Sequence, residues 1–170
     1  MKTLRFKKAK SLEEIEAIEL LGKKIWNEHY IKIISQEQIN YMLDKFQSTK
    51  SIQEQIQNGY EYFQILLNNN PAGYFGISAE TGFLFLSKFY ILDELRGKGI
   101  GKSAFAFIQK LAKEKGLDSI RITVNKSNTN SIEFYKKVGF EIKRQIVADI
   151  GCGYVMDDYE MEYSINPSYK

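Results

Sequence analysis

Between residues 83 and 101 an apolar run gives way to closely spaced glycines and then to a helical pattern, which limits the fold more than any other feature. Phe83 to Ile91 is almost continuously apolar and aromatic and reads as a strand. Downstream, Ile100, Ala104, Phe107, Ile108, Leu111 and Ala112 recur at helical spacing on one face. Gly97, Gly99 and Gly101 therefore lie at a strand-to-helix junction. The first backbone N–H groups of a helix lack intrahelical partners, and the macrodipole there is positive, so main chain alone can hold an anion. Glycine lets that backbone come close to its ligand.

The spacing separates three kinds of phosphate loop. A dinucleotide fingerprint needs Gly-x-Gly-x-x-Gly, and the glycines at 97, 99 and 101 fail on the third. Gly101-Lys102-Ser103 looks like the end of a Walker A loop, but Arg96 stands where that motif needs its first glycine. What remains is Arg-x-x-Gly-x-Gly, carried by Arg96, Gly99 and Gly101. A second motif lies about two dozen residues on. An alternating strand (Ile120, Ile122, Val124) runs into Asn125-Lys126-Ser127-Asn128, followed by Ser131-Ile132-Glu133-Phe134-Tyr135-Lys136-Lys137-Val138-Gly139-Phe140. Together the two motifs resemble the GNAT superfamily of acetyltransferases: its pyrophosphate loop, then an Asn, a short helix bearing Phe-Tyr, and Gly-Phe entering the next strand. The resemblance covers residues 83 to 142 closely and the rest of the chain loosely.

The remaining patterns fit a mixed α/β (α+β) chain. Leu4 to Phe6 suggests a first strand, and Ser11-x-x-Glu14 is a capping box opening a helix with Leu12, Ile15, Ile18, Leu21, Ile25 and Trp26. Ser35-x-x-Gln38 and Ser51-x-x-Glu54 predict two more helix starts. Tyr60 to Leu67 and Tyr74 to Ala79 read as a hairpin around a turn over residues 68–73. Two late strands are expected, Glu141 to Asp149 and Tyr154 to Ile165, separated by Gly151-Cys152-Gly153. The resemblance implies that these form a mixed, mostly antiparallel central sheet flanked by helices. At 170 residues and 44% hydrophobic content the chain is long enough for one domain spanning residues 1–170.

Composition argues against several other classes. A formal charge of +3 with dispersed Lys and Arg does not suggest nucleic acid, and no apolar run is long enough to suggest a membrane span. Cys152 is the only cysteine, so no internal disulfide can form, and a reducing cytoplasm is expected. No metal site is expected.

The resemblance implies acetyl-CoA as cofactor, lying along the central strand, with an amine attacking the thioester directly. Main chain of Phe89, Tyr90 and Ile91 would then hold the pantetheine arm, and Arg96, Gly97, Lys98, Gly99, Ile100, Gly101 and Lys102 would cradle the pyrophosphate. The Ile91 N–H becomes a candidate donor to the oxyanion. Asn128 matches the family Asn that contacts the cofactor, and Lys137 could add charge beside the phosphates. Tyr135 matches the tyrosine placed to protonate the departing thiolate. With ordinary pKa values near ~10 for Tyr and ~8.5 for a thiol, full transfer is uphill by about 2 kcal/mol, so a hydrogen bond that stabilises the thiolate is the expected role.

The amine side needs a proton sink, because an alkylammonium with a pKa near ~10.4 is neutral to only about one part in 10³ at neutral pH. His29, within Trp26-Asn27-Glu28-His29-Tyr30, is the only histidine. In the last strand Val155, Asp157, Tyr159, Met161, Tyr163 and Ile165 alternate onto one face, opposite Asp158, Glu160 and Glu162, so Asp157 is a carboxylate in an apolar row, either buried near the groove or at a strand end in water. Lys88, in the central strand, is expected to send its ammonium out along the surface. The 26–30 and 41–46 segments and the Gly-Tyr-Val-Met-Asp-Asp run look like the PaiA-type polyamine branch of the superfamily. A small-molecule amine such as spermidine or spermine is then the expected acceptor, with Glu28, His29, Tyr30 and Asp157 at its site. A protein N-terminus or lysine is the alternative acceptor, and a non-catalytic acyl-CoA-binding module the alternative class. Homodimers are common in the superfamily.

Overall fold

Ser11 begins the first helix as its sequence predicts. Its hydroxyl accepts from the Glu14 amide at 3.3 Å, while the Glu14 carboxylate accepts from the Ser11 amide at 3.0 Å and the Lys10 amide at 2.6 Å. Lys7, 2.7 Å away, and then the two amide bonds lower the Glu14 carboxyl to a pKa of about 2. The computed structural model describes residues 1–166. Its elements are β1 (Leu4–Lys8), α1 (Leu12–His29), α2 (Gln36–Gln47), α3 (Thr49–Gln57), β2 (Glu61–Leu67), β3 (Asn70–Ala79), β4 (Phe83–Ile91), α4 (Ile100–Glu114), β5 (Ser119–Asn125), α5 (Thr129–Val138), β6 (Glu141–Gly151) and β7 (Tyr154–Ser164). The sheet runs β1-β2-β3-β4-β5-β7-β6, with β4 and β5 parallel and the β1–β2, β2–β3, β5–β7 and β7–β6 pairs antiparallel. This is the mixed, mostly antiparallel sheet the sequence leads one to expect. No helix among the described residues is long and apolar enough to cross a membrane.

The chain divides into two compact units. The first comprises Met1–Ser78 and Lys88–Phe105, the second Ala79–Ser87 and the chain from Ala106 onward. In the first unit Ile15, Ile18, Leu21 and Ile25 of α1 pack with Ile52 of α3, Tyr62 of β2, Tyr74 of β3 and Leu92. Burying each of the aliphatic side chains is worth about 1.5–3 kcal/mol. Phe63 and Phe75, which lie opposite each other in the β2–β3 register, stack with centroids 4.9 Å apart. In the second unit the Ile120, Ile122 and Val124 face of β5 is buried beside Met161 of β7, and Phe140, just past α5, lies between Tyr135 and Tyr163 with ring centroids 5.3 and 5.8 Å away.

Three local expectations are corrected. The third helix starts at Ser48, whose hydroxyl accepts from the Ser51 amide at 3.2 Å. Ser51 lies inside the helix and donates back to the Lys45 carbonyl at 2.8 Å, so the earlier serine wins the cap. The β2–β3 turn is shorter than six residues: Asn68 and Asn69 take φ of 51° and 66°, and β3 starts at Asn70. Asparagine tolerates that region, and a bulge at Ile65/Leu66 accommodates Pro71 in the strand. Lys88 does not reach solvent. Its Nζ lies 3.0 Å from Gln55 Oε1 and 5.4 Å from the Tyr62 ring centroid, and burial lowers its pKa to about 8.

Candidate active site

In the first unit the site begins at the end of β4. Gly73 of β3 passes so close to that strand that a Cβ there would sit 2.2 Å from the Tyr90 carbonyl oxygen and 3.0 Å from Ile91 Cα. Only glycine permits this approach, and the Leu92 amide donates to the Ala72 carbonyl at 2.9 Å just beyond it. After a 3-10 turn at Asp93–Leu95 the chain enters the glycine loop. Gly97 and Gly99 take φ of 72° and 81°, and nothing lies within 4 Å of where a Cβ would stand on either. That backbone is open to a ligand. The Gly99 carbonyl accepts from the Ser103 amide at 3.1 Å, which starts α4, so Ile100, Gly101 and Lys102 form its first turn. The amides of such a turn have no intrahelical acceptor, and the loop fits a pyrophosphate on these grounds.

Arg96 braces the loop. Its Nε donates to the Ile91 carbonyl at 3.1 Å, and its Nη1 lies 3.3 Å from Asp93 Oδ1 and 3.0 Å from His29 Nδ1. An arginine only donates, so Nδ1 accepts in this contact. Lys24 of α1 also bridges to Glu94 at 3.1 Å, which raises the Lys24 pKa, while the Glu94 pKa is lowered first by its own backbone amide and then by Lys24. His29, expected at the acceptor, is thus brought to the arginine of the loop. Tyr30 stacks on Trp26 at 4.2 Å, and both meet Tyr90 edge-on, at 6.5 and 5.9 Å. Phe89 is half-buried, and Glu28, Lys98 and Lys102 are exposed.

The second unit carries the other candidates. Asn128 is buried and stands at the N-terminus of α5, where its amide donates to Asn125 and its carbonyl accepts from Ile132, while its side chain does not cap the helix. Tyr135 is buried with its ring against Phe134 at 5.5 Å and Phe140 at 5.3 Å. Lys137 is exposed.

The late carboxylates sort differently from each other. The alternation of β7 holds, but Asp157 is the exposed member of the pair and bridges to Lys126 at 2.6 Å. Pairing with β5 stops at Asn125↔Asp158, so Asp157 projects past the last β5 residue into water. Asp158 is 3% exposed, lies between Asn125 and Ile146, and its Oδ1 has no hydrogen-bond partner. Burial first, and the neighbouring Asp157 second, push its pKa up to about 6, against the pull of Lys126. Sequence patterning puts Asp158 among glutamates on a polar row and gives no sign of its burial, which comes with its place opposite Asn125 in the strand register.

Residues 24–140 match the family described as Acetyltransferase (GNAT) family, and the chain belongs to that family of acetyl-CoA-dependent acetyltransferases. Among its relatives is a spermidine N(1)-acetyltransferase of Thermoplasma acidophilum, 26% identical over 142 residues, covering 78% of this chain and 86% of the relative. A spermine/spermidine N(1)-acetyltransferase of Bacillus subtilis is 27% identical over 124 residues, covering 66% of this chain and 79% of its own length. The fold is similar to that of a PaiA N-acetyltransferase from Thermoplasma acidophilum solved in complex with coenzyme A, with a TM-score of 0.80 at 22% identity over 95% of this chain and 99% of that one.

Proposed function

We propose that this enzyme transfers the acetyl group of acetyl-CoA to a small primary amine, and that the amine is a polyamine of the spermidine or spermine kind. The observation that carries the transfer is the open glycine loop at the start of α4, braced by Arg96 against the end of β4. The polyamine acceptor is supported by the spermidine and spermine/spermidine N(1)-acetyltransferases among the relatives.

Bound acetyl-CoA supplies the thioester carbonyl that the amine attacks. In our reading, main chain of Gly97 to Gly101 and the amide of Lys102 hold the pyrophosphate, with Lys98, Lys102 and Lys137 adding charge. Backbone of Phe89, Tyr90 and Ile91 holds the pantetheine arm as an added strand would, and the Ile91 N–H donates to the carbonyl oxygen as it gains charge. Asn128 contacts the cofactor, and the Tyr135 hydroxyl donates to the sulfur as the thiol leaves. Arg96 acts by shaping the loop, since its head group is engaged by Ile91, Asp93 and His29. Glu28 and Tyr30 serve the acceptor side, where an aromatic surface and a carboxylate suit a chain of ammonium groups.

The test is CoA release by the purified protein with acetyl-CoA and a panel of polyamines, amino acids, aminoglycosides and short peptides. Turnover concentrated on spermidine or spermine is expected. Turnover confined to peptides would replace the polyamine by a protein amine, and silence throughout would reject catalysis.

A further inference from the structure

Asp158 is the buried carboxylate among the described residues, and one of its oxygens has no donor. A buried carboxylate without donors is costly, and structures normally satisfy or neutralise it. Its strand partners offer little: Asn125 on one side and Ile146 on the other. Other acids of β7 are paired, Asp157 with Lys126, Glu160 with Arg144 at 3.1 Å and Glu162 with Arg121 at 2.6 Å. By its register Asp158 shares a sheet face with Asn125, Thr123 and Arg121 of β5, opposite the apolar face on which Phe140 meets Tyr163. It stands beside the residue that opens the Asn125-to-Asn128 turn, within the unit that carries Tyr135.

We infer that Asp158 Oδ1 receives an N–H of the acceptor's ammonium group and takes its proton before acetyl transfer. The inference rests on the reading of the chain as an acetyltransferase of cationic amines. The ammonium gives one proton to Oδ1, and the freed nitrogen lone pair forms the C–N bond to the acetyl carbon as the C–S bond breaks. The departing sulfur receives the second nitrogen proton, and Asp158 later returns its own to water. Charge on Asp158 is required at the start, and the groups that govern it are Asp157 on the same strand, which opposes ionisation, and Lys126 on the turn after β5, which favours it. Activity toward the amine should therefore fall as pH drops through about 6.

The experiment measures kcat and KM for acetyl-CoA and for the best amine of the panel, from about pH 5 to about pH 9, in the wild-type enzyme and Asp158→Asn. We expect kcat/KM for the amine to fall by about 100-fold or more, with KM for acetyl-CoA changed by less than about threefold, and the acid limb to vanish in the variant. A variant that keeps the wild-type kcat/KM, or an unchanged acid limb, overturns the inference. If the variant does not fold, carbon-13 NMR of the wild-type aspartate carboxyls decides: amine binding should lower the titration midpoint of Asp158, and an unmoved midpoint overturns it. The panel amine separates the two claims. Turnover of a non-polyamine that depends on Asp158 rejects only the polyamine, whereas spermidine turnover indifferent to Asp158→Asn rejects only the role of this residue.

Discussion

Asp158 carries a charge where charge is expensive, and that expense has a measurable sign. A carboxyl moved from its ordinary 3.8 to about 6 binds its proton more tightly folded than unfolded. The penalty is absent below pH 3.8, grows as pH rises between these values, and is complete above about 6. Asp158→Asn should thus be more stable than wild type at about pH 8, by about 1–3 kcal/mol, and equal to it near pH 4; urea unfolding at both values checks this. A loss of stability at pH 8 would contradict the desolvated charge. Tyr135→Phe addresses the other end of the reaction. It removes one oxygen from a ring that keeps its contacts with Phe134 and Phe140, so the fold should persist while kcat falls by about 10-fold or more and acetyl-CoA binding by calorimetry is unchanged. Equal turnover would leave Tyr135 a packing residue.

The junction of β3, β4 and the glycine loop is where elements, rather than single side chains, make the site. Gly73→Ala would push a methyl group into the Tyr90 carbonyl and force the two strands apart at the residues assigned to the pantetheine arm. A loss of about 2–4 kcal/mol in unfolding free energy and a raised KM for acetyl-CoA are expected. Arg96→Lys keeps the charge but loses the fork that reaches Ile91, Asp93 and His29 together, so KM for acetyl-CoA should rise several-fold with kcat little changed. The loop itself was legible in the sequence because glycine spacing and the change from strand to helix pattern are local signals. Its brace was not, since His29 and Arg96 are 67 residues apart in the chain and nothing in either segment announces the other. The same distinction explains the corrected elements. Ser48 and Ser51 are both competent caps, and only the end of α2 decides between them. Asp157 and Asp158 occupy the faces that alternation predicts, but which of the two residues is buried depends on where β5 stops.

At the scale of the whole molecule, the sheet order β1-β2-β3-β4-β5-β7-β6 gives the parallel β4–β5 pair a central place, with α4 as the connection between its strands. The family and the cofactor class follow from two motifs that lie between residues 83 and 142, whereas the acceptor depends on a few side chains whose types recur in any acidic, aromatic surface. Which amine receives the acetyl group is decided by offering spermidine and a lysine-containing peptide together with acetyl-CoA and reading the acetylated products by mass spectrometry. Acetylspermidine is expected as the dominant product, formed about 10-fold or more slowly in Tyr135→Phe and about 100-fold or more slowly in Asp158→Asn. Acetylated peptide with unmodified spermidine would contradict this expectation.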